Sequence, residues 1–287
     1  MGKFSRKEIN KRLRATVARG EPVIVAGAGD GFTAKLEEKG GCDVIGVYNS
    51  GRFRHFGAGS LSGLLAVGRS QDMVESYAPE VLSMIKDTPC IAGFCAQDSR
   101  TLWRDWFGRL SDMGISGFMN FPTIGLIDAD SKFRCNLEES GLGYSREMEI
   151  LRLAHEMGFF TIGYCFNADE ARQVAETGAD IVAIHVGLTS GGLIGARTVS
   201  TVEESIEITR KLINAAREVR PEGDFLPITH GGAMEDPETT ARVLAETEAI
   251  GYLGASSIER TPVEPAIINI CKEFKRMPIS RPAWLKL

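Results

Sequence analysis

No stretch of this 287-residue sequence stays apolar for the roughly 18 residues that a membrane-spanning helix needs. Positive charge is not in excess either. The 33 lysines and arginines stand against 38 aspartates and glutamates, a formal net charge of −5, so nothing argues for a nucleic-acid or anionic-membrane partner. Met1-Gly-Lys-Phe-Ser-Arg-Lys-Glu8 has no apolar signal region, and no Ser or Thr stands at position six, where myristoylation favours one. The six cysteines (Cys42, Cys90, Cys95, Cys135, Cys165, Cys271) form no C-x-x-C pair, which excludes a zinc ribbon and argues against a disulfide framework. Reduced thiols in a cytoplasmic protein are the expectation. Also missing are a G-x-S-x-G elbow and an H-E-x-x-H helix, so two common hydrolase designs drop out.

What is present is a repeated grammar. Phe225-Leu-Pro-Ile-Thr-His-Gly-Gly232 is a short apolar run stopped by a histidine and two glycines. Asp180-Ile-Val-Ala-Ile-His-Val-Gly187 and Ile250-Gly-Tyr-Leu-Gly-Ala-Ser-Ser257 are built alike. Runs of this length suit buried parallel strands, and a helical pattern follows each. Five further runs fit: 22–26, 43–48, 89–95, 116–121 and 160–166. Eight strand–helix pairs are the number a (β/α)8 barrel requires, so the whole chain, 1–287, is expected to be one TIM-barrel domain. A leading helix over 1–20 should close the barrel bottom or meet a partner subunit, and a tail over 277–287 with Trp284 should dock on the barrel or on a neighbour. Thr201-x-x-Glu204 predicts a capping box, and Asn167 an N-cap. Two long connections, Arg52–Arg69 and Pro122–Gly143, are expected to be loops, the second a candidate lid. Pro227 removes one ladder donor from the seventh strand.

In such barrels the chemistry collects at the C-terminal ends of the strands. That rule selects Asn49, Ser50, Gln97, Asp98, Asn120, Tyr164, His185, Thr189, Ser190, His230, Ser256, Ser257 and Glu259, with Gly51 beside Ser50. His185 and His230, two of only four histidines, are the candidate acid and base at neutral pH; alternatively, each merely bonds a neighbouring carbonyl. Gly231, Gly232, Gly254 and Ser256 follow strands seven and eight, where backbone N–H groups often hold phosphate, although such glycines also make tight turns. Asp98 is the acidic residue at a strand exit in the first half, a candidate magnesium ligand or a helix cap ahead of Arg100. No lysine lies at a predicted strand exit, which disfavours a Schiff-base aldolase.

Asn120-Phe-Pro-Thr-Ile-Gly-Leu-Ile-Asp128, Leu137-Glu-Glu-Ser-Gly-Leu-Gly-Tyr144, His185-Val-Gly-Leu-Thr-Ser-Gly-Gly192 and His230-Gly-Gly232 carry a resemblance spanning nearly the whole chain. The sequence resembles the phosphoenolpyruvate hydrolase-like family, also described as TIM-barrel signal-transduction proteins. The resemblance implies a TIM barrel, a homo-oligomer, and a link to phosphonopyruvate hydrolase and phosphoenolpyruvate mutase chemistry, in which magnesium chelates a pyruvyl group. Those enzymes set several acidic residues around the metal; here Gln97-Asp98 supplies one, and Asn120 stands where a further carboxylate would be expected. Two functions follow as expectations. One is a hydrolase or lyase acting on a small phosphorylated or 2-oxo acid. In it Asp98 binds magnesium, His185 and His230 move protons, the glycine turns hold the anion, and Asn49, Ser50, Gln97 and Asn120 fix substrate oxygens. The other is a non-catalytic anion-binding barrel that regulates a partner.

Overall fold

In the chain's computed structural model, which describes residues 2–198 and 200–280, eight parallel strands close on themselves in sequence order. They are β1 (Val23–Gly27), β2 (Val44–Val47), β3 (Cys90–Gly93), β4 (Gly117–Met119), β5 (Phe160–Cys165), β6 (Ile181–His185), β7 (Leu226–His230) and β8 (Gly251–Gly254), with β8 pairing back onto β1. This is the expected (β/α)8 barrel. Small strand residues let the sheet close tightly: a Cβ on Gly117 would meet Phe160 O at 2.3 Å, and one on Gly251 would meet Val23 O at 2.2 Å.

Side chains alternate between two cores. Val25, Ile91, Met119, Ile162, Ala183, Ile228 and Leu253 fill the interior of the barrel. Ile9 and Leu13 of α1 (Arg6–Ala18) join that same cluster, so the leading helix stoppers the bottom of the barrel. The outer core packs the strands' other faces against helices, with Trp103, Trp106, Phe107 and Leu110 of α5 (Trp103–Met113) as its aromatic block. The remaining outer helices are α2 (Gly31–Lys39), α4 (Ser70–Met84), α7 (Tyr144–Glu156), α8 (Ala168–Glu176), α9 (Val202–Val219), α10 (Pro237–Ala245) and α12 (Val263–Lys275). Their starts are specified locally. Asn167 caps α8 by accepting from Glu170 N at 2.9 Å, and Thr201 with Glu204 forms the capping box of α9. Pro227 keeps its place in β7 because its carbonyl still accepts from Ile250 N at 2.8 Å.

Both supposed long loops are structured. The first holds helix α3 (Asn49–His55) and a 3-10 turn, Ser60–Leu64. The second holds a 3-10 turn, Ile124–Leu126, and α6 (Lys132–Glu139). The second is also pinned and is no free lid: buried Arg134 donates to Ile124 O at 2.7 Å, Ile127 O at 3.0 Å and Glu170 Oε1 at 2.6 Å. A short helix, α11 (Ser256–Glu259), follows β8. α12 buries none of its residues, and Met277 and Ile279 beyond it are exposed. The rest of the expected docking tail, residues 281–287 with Trp284, lies outside the described residues. Among those described, no helix is long and apolar enough to cross a membrane.

Candidate functional site

A cavity of about 380 Å³ opens at the C-terminal mouth. Its base is a run of aromatic rings from neighbouring strand ends: Tyr48 lies 5.1 Å from Phe121, and Phe121 lies 5.4 Å from Tyr164. Tyr164 in turn lies 5.7 Å from His185 and 5.4 Å from His230. The parallel register places His185 directly beside His230, with ring centroids 4.5 Å apart. Both imidazoles are buried. Burial holds both neutral, pushing His230 down to about 4 and His185 well below the ordinary histidine value, His185 also through its neighbour His230.

Three arginines complete the wall: Arg54 from α3, Arg197 from the loop before α9, and Arg260 just after α11. Among the described residues, no aspartate or glutamate lines the cavity. Arg54 is buried and held by an ion pair with Glu259, also buried. It further donates to Tyr48 Oη at 3.1 Å and Ser60 Oγ at 3.0 Å. Burial opposes its charge, but the adjacent Glu259 carboxylate more than offsets this and raises its pKa. Glu259 also accepts from Gly29 N at 2.9 Å and lies 3.2 Å from His55 Nε2. Arg260 donates to Gly191 O at 3.0 Å and pairs with Glu264 at 2.7 Å, while its buried Nε has no partner among the described residues.

The structure gathers only part of the predicted set. His185, His230, Tyr164, Thr189 and Ser256 line the cavity. Asn49, Ser50 and Gly51 sit in α3 instead of a loop and build the wall from behind: Asn49 Nδ2 donates to Gly63 O at 2.9 Å, and Ser50 Oγ to Ser60 O at 2.8 Å. Gln97 and Asn120 turn to Glu147, a buried carboxylate of α7 that sequence reasoning overlooked. Glu147 accepts from Gln97 Nε2 (3.2 Å), Asn120 Nδ2 (2.8 Å), Thr123 Oγ1 (2.7 Å) and Ile124 N (2.8 Å). Ser190 donates to Glu235 at 2.8 Å.

Of the two roles weighed for Asp98, the contacts match the one beside Arg100. One oxygen pairs with Arg69 and the other accepts from Arg100 N at 3.0 Å and Nε at 3.2 Å, so its carboxylate is consumed by two arginines outside the cavity lining. The glycine turns also differ from the phosphate-binding expectation. Gly232 N donates to Gly187 O at 3.0 Å, and Gly231 and Gly232 have φ of +84° and +59°. Gly254 is packed by Ile258, whose Cδ1 would lie 2.4 Å from an added Cβ. These glycines shape turns; the cationic side chains are arginines. Among the described residues, no group of three His, Cys, Asp or Glu side chains is placed to hold a metal ion. With Asp98, Glu147 and Glu259 all engaged by donors, the donor set does not fit a magnesium ion held by protein carboxylates.

Arg54 lies within the Arg52–Arg69 connection and Arg260 beyond the strand end, so the strand-exit rule does not select them, although it does select Glu259, which pairs with Arg54.

The geometry defines a (β/α)8 barrel with a small cationic site at its C-terminal mouth. The phosphoenolpyruvate hydrolase-like family matches residues 8–277, and the chain belongs to that family. The ToMV susceptible protein tm-1(GCR26) of Solanum lycopersicum is 44% identical over 268 residues, covering 93% of this chain and 35% of that protein. The chain therefore spans about a third of that relative's length. Among solved structures, phosphonopyruvate hydrolase in complex with oxalate and Mg++ is 16% identical with a TM-score of 0.59, covering 93% of this chain and 87% of that one. Oxaloacetate acetylhydrolase with 3,3-difluorooxalacetate is 12% identical with a TM-score of 0.62, covering 100% and 92%. At these identities the structural likeness shows the shared fold.

Proposed function

We propose that the mouth binds a small di-anionic 2-oxo acid, of the phosphonopyruvate or oxaloacetate kind, and catalyses its hydrolysis or cleavage. The observation that carries this reading is the lining: three arginines, two neutral histidines, two tyrosines and no carboxylate around about 380 Å³. Such a lining attracts anions and leaves two neutral imidazoles to donate to and accept from the bound ligand. Phosphonopyruvate hydrolase and oxaloacetate acetylhydrolase, which share the fold, are named for compounds of this class. Magnesium enters as the substrate's own counter-ion, since no aspartate or glutamate among the described residues lines the cavity. Six free cysteines support a reducing, cytoplasmic setting.

The test is thermal unfolding against phosphonopyruvate, oxaloacetate, phosphoenolpyruvate, oxalate and phosphate, each with and without magnesium, followed by turnover assays. A ligand that binds only the folded state raises the midpoint with its concentration over Kd. The expected result is a shift from the 2-oxo acids and oxalate that persists in a chelator. No shift from any of them would sink the reading. A second reading, a non-catalytic anion-binding barrel that regulates a partner, is favoured by the carboxylate-free lining. Binding without turnover of any of these compounds would select it.

A further inference from the structure

His185 and His230 are chemically identical side chains at equivalent strand ends, yet the backbone treats them oppositely. Gly187 N–H donates to His185 Nδ1 at 3.1 Å, so that nitrogen presents a lone pair and the ring's proton resides on Nε2. His230 Nδ1 faces the carbonyl of Leu253, which only accepts, so this Nδ1 carries the proton and Nε2 is bare. Each Nδ1 is committed to backbone, which leaves the two Nε2 atoms for the cavity that both rings line. One cavity-facing nitrogen is a donor and the other an acceptor.

The arrangement is locked. Reversing His185 would set a proton against the Gly187 N–H, and reversing His230 would set a lone pair against the Leu253 carbonyl. The first exchange would break a partly buried hydrogen bond and the second a buried one, so each costs a bond that is incompletely replaced. No carboxylate stands behind either ring, and the 4.5 Å spacing of the rings makes a second positive charge on the pair unfavourable.

We infer that His185 and His230 form a catalytic pair with fixed, opposite roles, His230 Nε2 accepting a proton and His185 Nε2–H donating a hydrogen bond to the oxygen that gains charge. The inference rests on the proposed 2-oxo acid reading. For hydrolysis the step balances as follows. A water O–H proton passes to His230 Nε2 while the water oxygen bonds to the electrophilic phosphorus of phosphonopyruvate. The bond from that atom to the pyruvyl carbon breaks, and its electron pair moves into the 2-oxo group as an enolate, whose oxygen accepts from His185 Nε2–H. The proton on His230 then goes to the enolate carbon, so water has been added across the broken bond and both rings return to their starting tautomers. A bound anion also supplies the negative charge that favours a proton on His230, so the base strengthens when substrate is present.

The deciding measurement is a long-range 1H–15N correlation spectrum of the 15N-labelled protein at pH 7. It should show His185 protonated at Nε2 and His230 at Nδ1; the same tautomer in both, or an imidazolium at either, overturns the proposal. Oxalate serves as the bound probe and should move the His185 Hε2 resonance; saturating oxalate that leaves it unmoved counts equally against. With phosphonopyruvate as substrate, His230→Gln should lower kcat by about 10²–10⁴-fold with KM little changed. His185→Gln keeps a donor and should lose less than about tenfold, whereas His185→Leu should lose about 10²-fold or more. Equal losses in the two glutamine variants would refute the division of labour. If the wild-type protein turns over no 2-oxo acid, the enzyme reading fails and the base assignment with it, while the opposite tautomers stand or fall on the spectrum alone.

Discussion

A buried neutral histidine makes a protein sensitive to acid. His230 faces His185, the Tyr164 ring and, at longer range, the Arg54 charge, and burial holds its folded pKa near 4 against about 6.5 unfolded. Between those values the unfolded chain binds a proton that the folded one refuses. The contribution is therefore fully present above about pH 6.5 and is lost as pH falls toward 4, by on the order of 3 kcal/mol. His185 acts in the same direction. His55 has the opposite sign: a hydrogen bond to Glu259 and the Asp30 carboxylate 2.7 Å away raise its pKa despite partial burial. Its contribution is present below the unfolded value and lost as pH rises through the raised one. In urea titrations between pH 4 and 9, His230→Gln should flatten the acid side of the profile and His55→Gln should lessen the alkaline loss, to which Glu37 and Glu147, pushed up by burial to about 8 and about 7, also contribute. An acid limb unchanged by His230→Gln would show that this histidine is not held neutral by the fold.

At the scale of elements, the site depends on the Arg54–Glu259 ion pair, which ties α3, after β2, to α11, after β8. Removing one member of a buried pair strands the other charge, so Arg54→Met should cost about 3–5 kcal/mol, measured by chemical denaturation. Adding Glu259→Leu should recover much of that loss without restoring oxalate binding; a double variant no more stable than Arg54→Met would mean that the pair is not what joins these elements. A smaller effect is expected at the capping box, where Thr201→Ala should cost about 1 kcal/mol. These two interactions also show what the sequence could reveal. The capping box is legible because its partners are three residues apart, and the strands are legible because a buried parallel strand is a local apolar run with a small-residue stop. Arg54 and Glu259 lie 205 positions apart, and nothing local announces their meeting. Asp98 misled for the same reason: Arg100 is visible beside it, but Arg69 arrives from 29 residues upstream. Helix α3 was hidden because Tyr48 offers it no side-chain cap and Gly51 lies inside it.

For the whole molecule, the eighth outer position of the barrel decides whether the chain stands alone. The other large outer helices each bury an apolar face, but α12 buries none of its residues, although Ile267, Ile270 and Phe274 are apolar and 57%, 46% and 65% exposed. On α2, the first helix of the ring, Phe32 and Leu36 are likewise 70% and 50% exposed. An amphipathic helix standing off its barrel and an apolar helix face on the same ring have complementary chemistry, and two copies related by a twofold axis can supply one to the other symmetrically. Burial of several large aliphatic and aromatic side chains at about 25 cal/mol per Å² is a sufficient driving force for association. Light scattering behind size exclusion should therefore give a dimer at micromolar concentration, consistent with the expected homo-oligomer. Ile267→Glu with Phe274→Glu should yield a monomer whose far-UV circular dichroism is retained, because neither side chain contributes to a core. A wild-type protein that is monomeric over the same range would remove the second copy as the partner of α12, whereas a dimer undisturbed by both charges would place the contact elsewhere on the barrel.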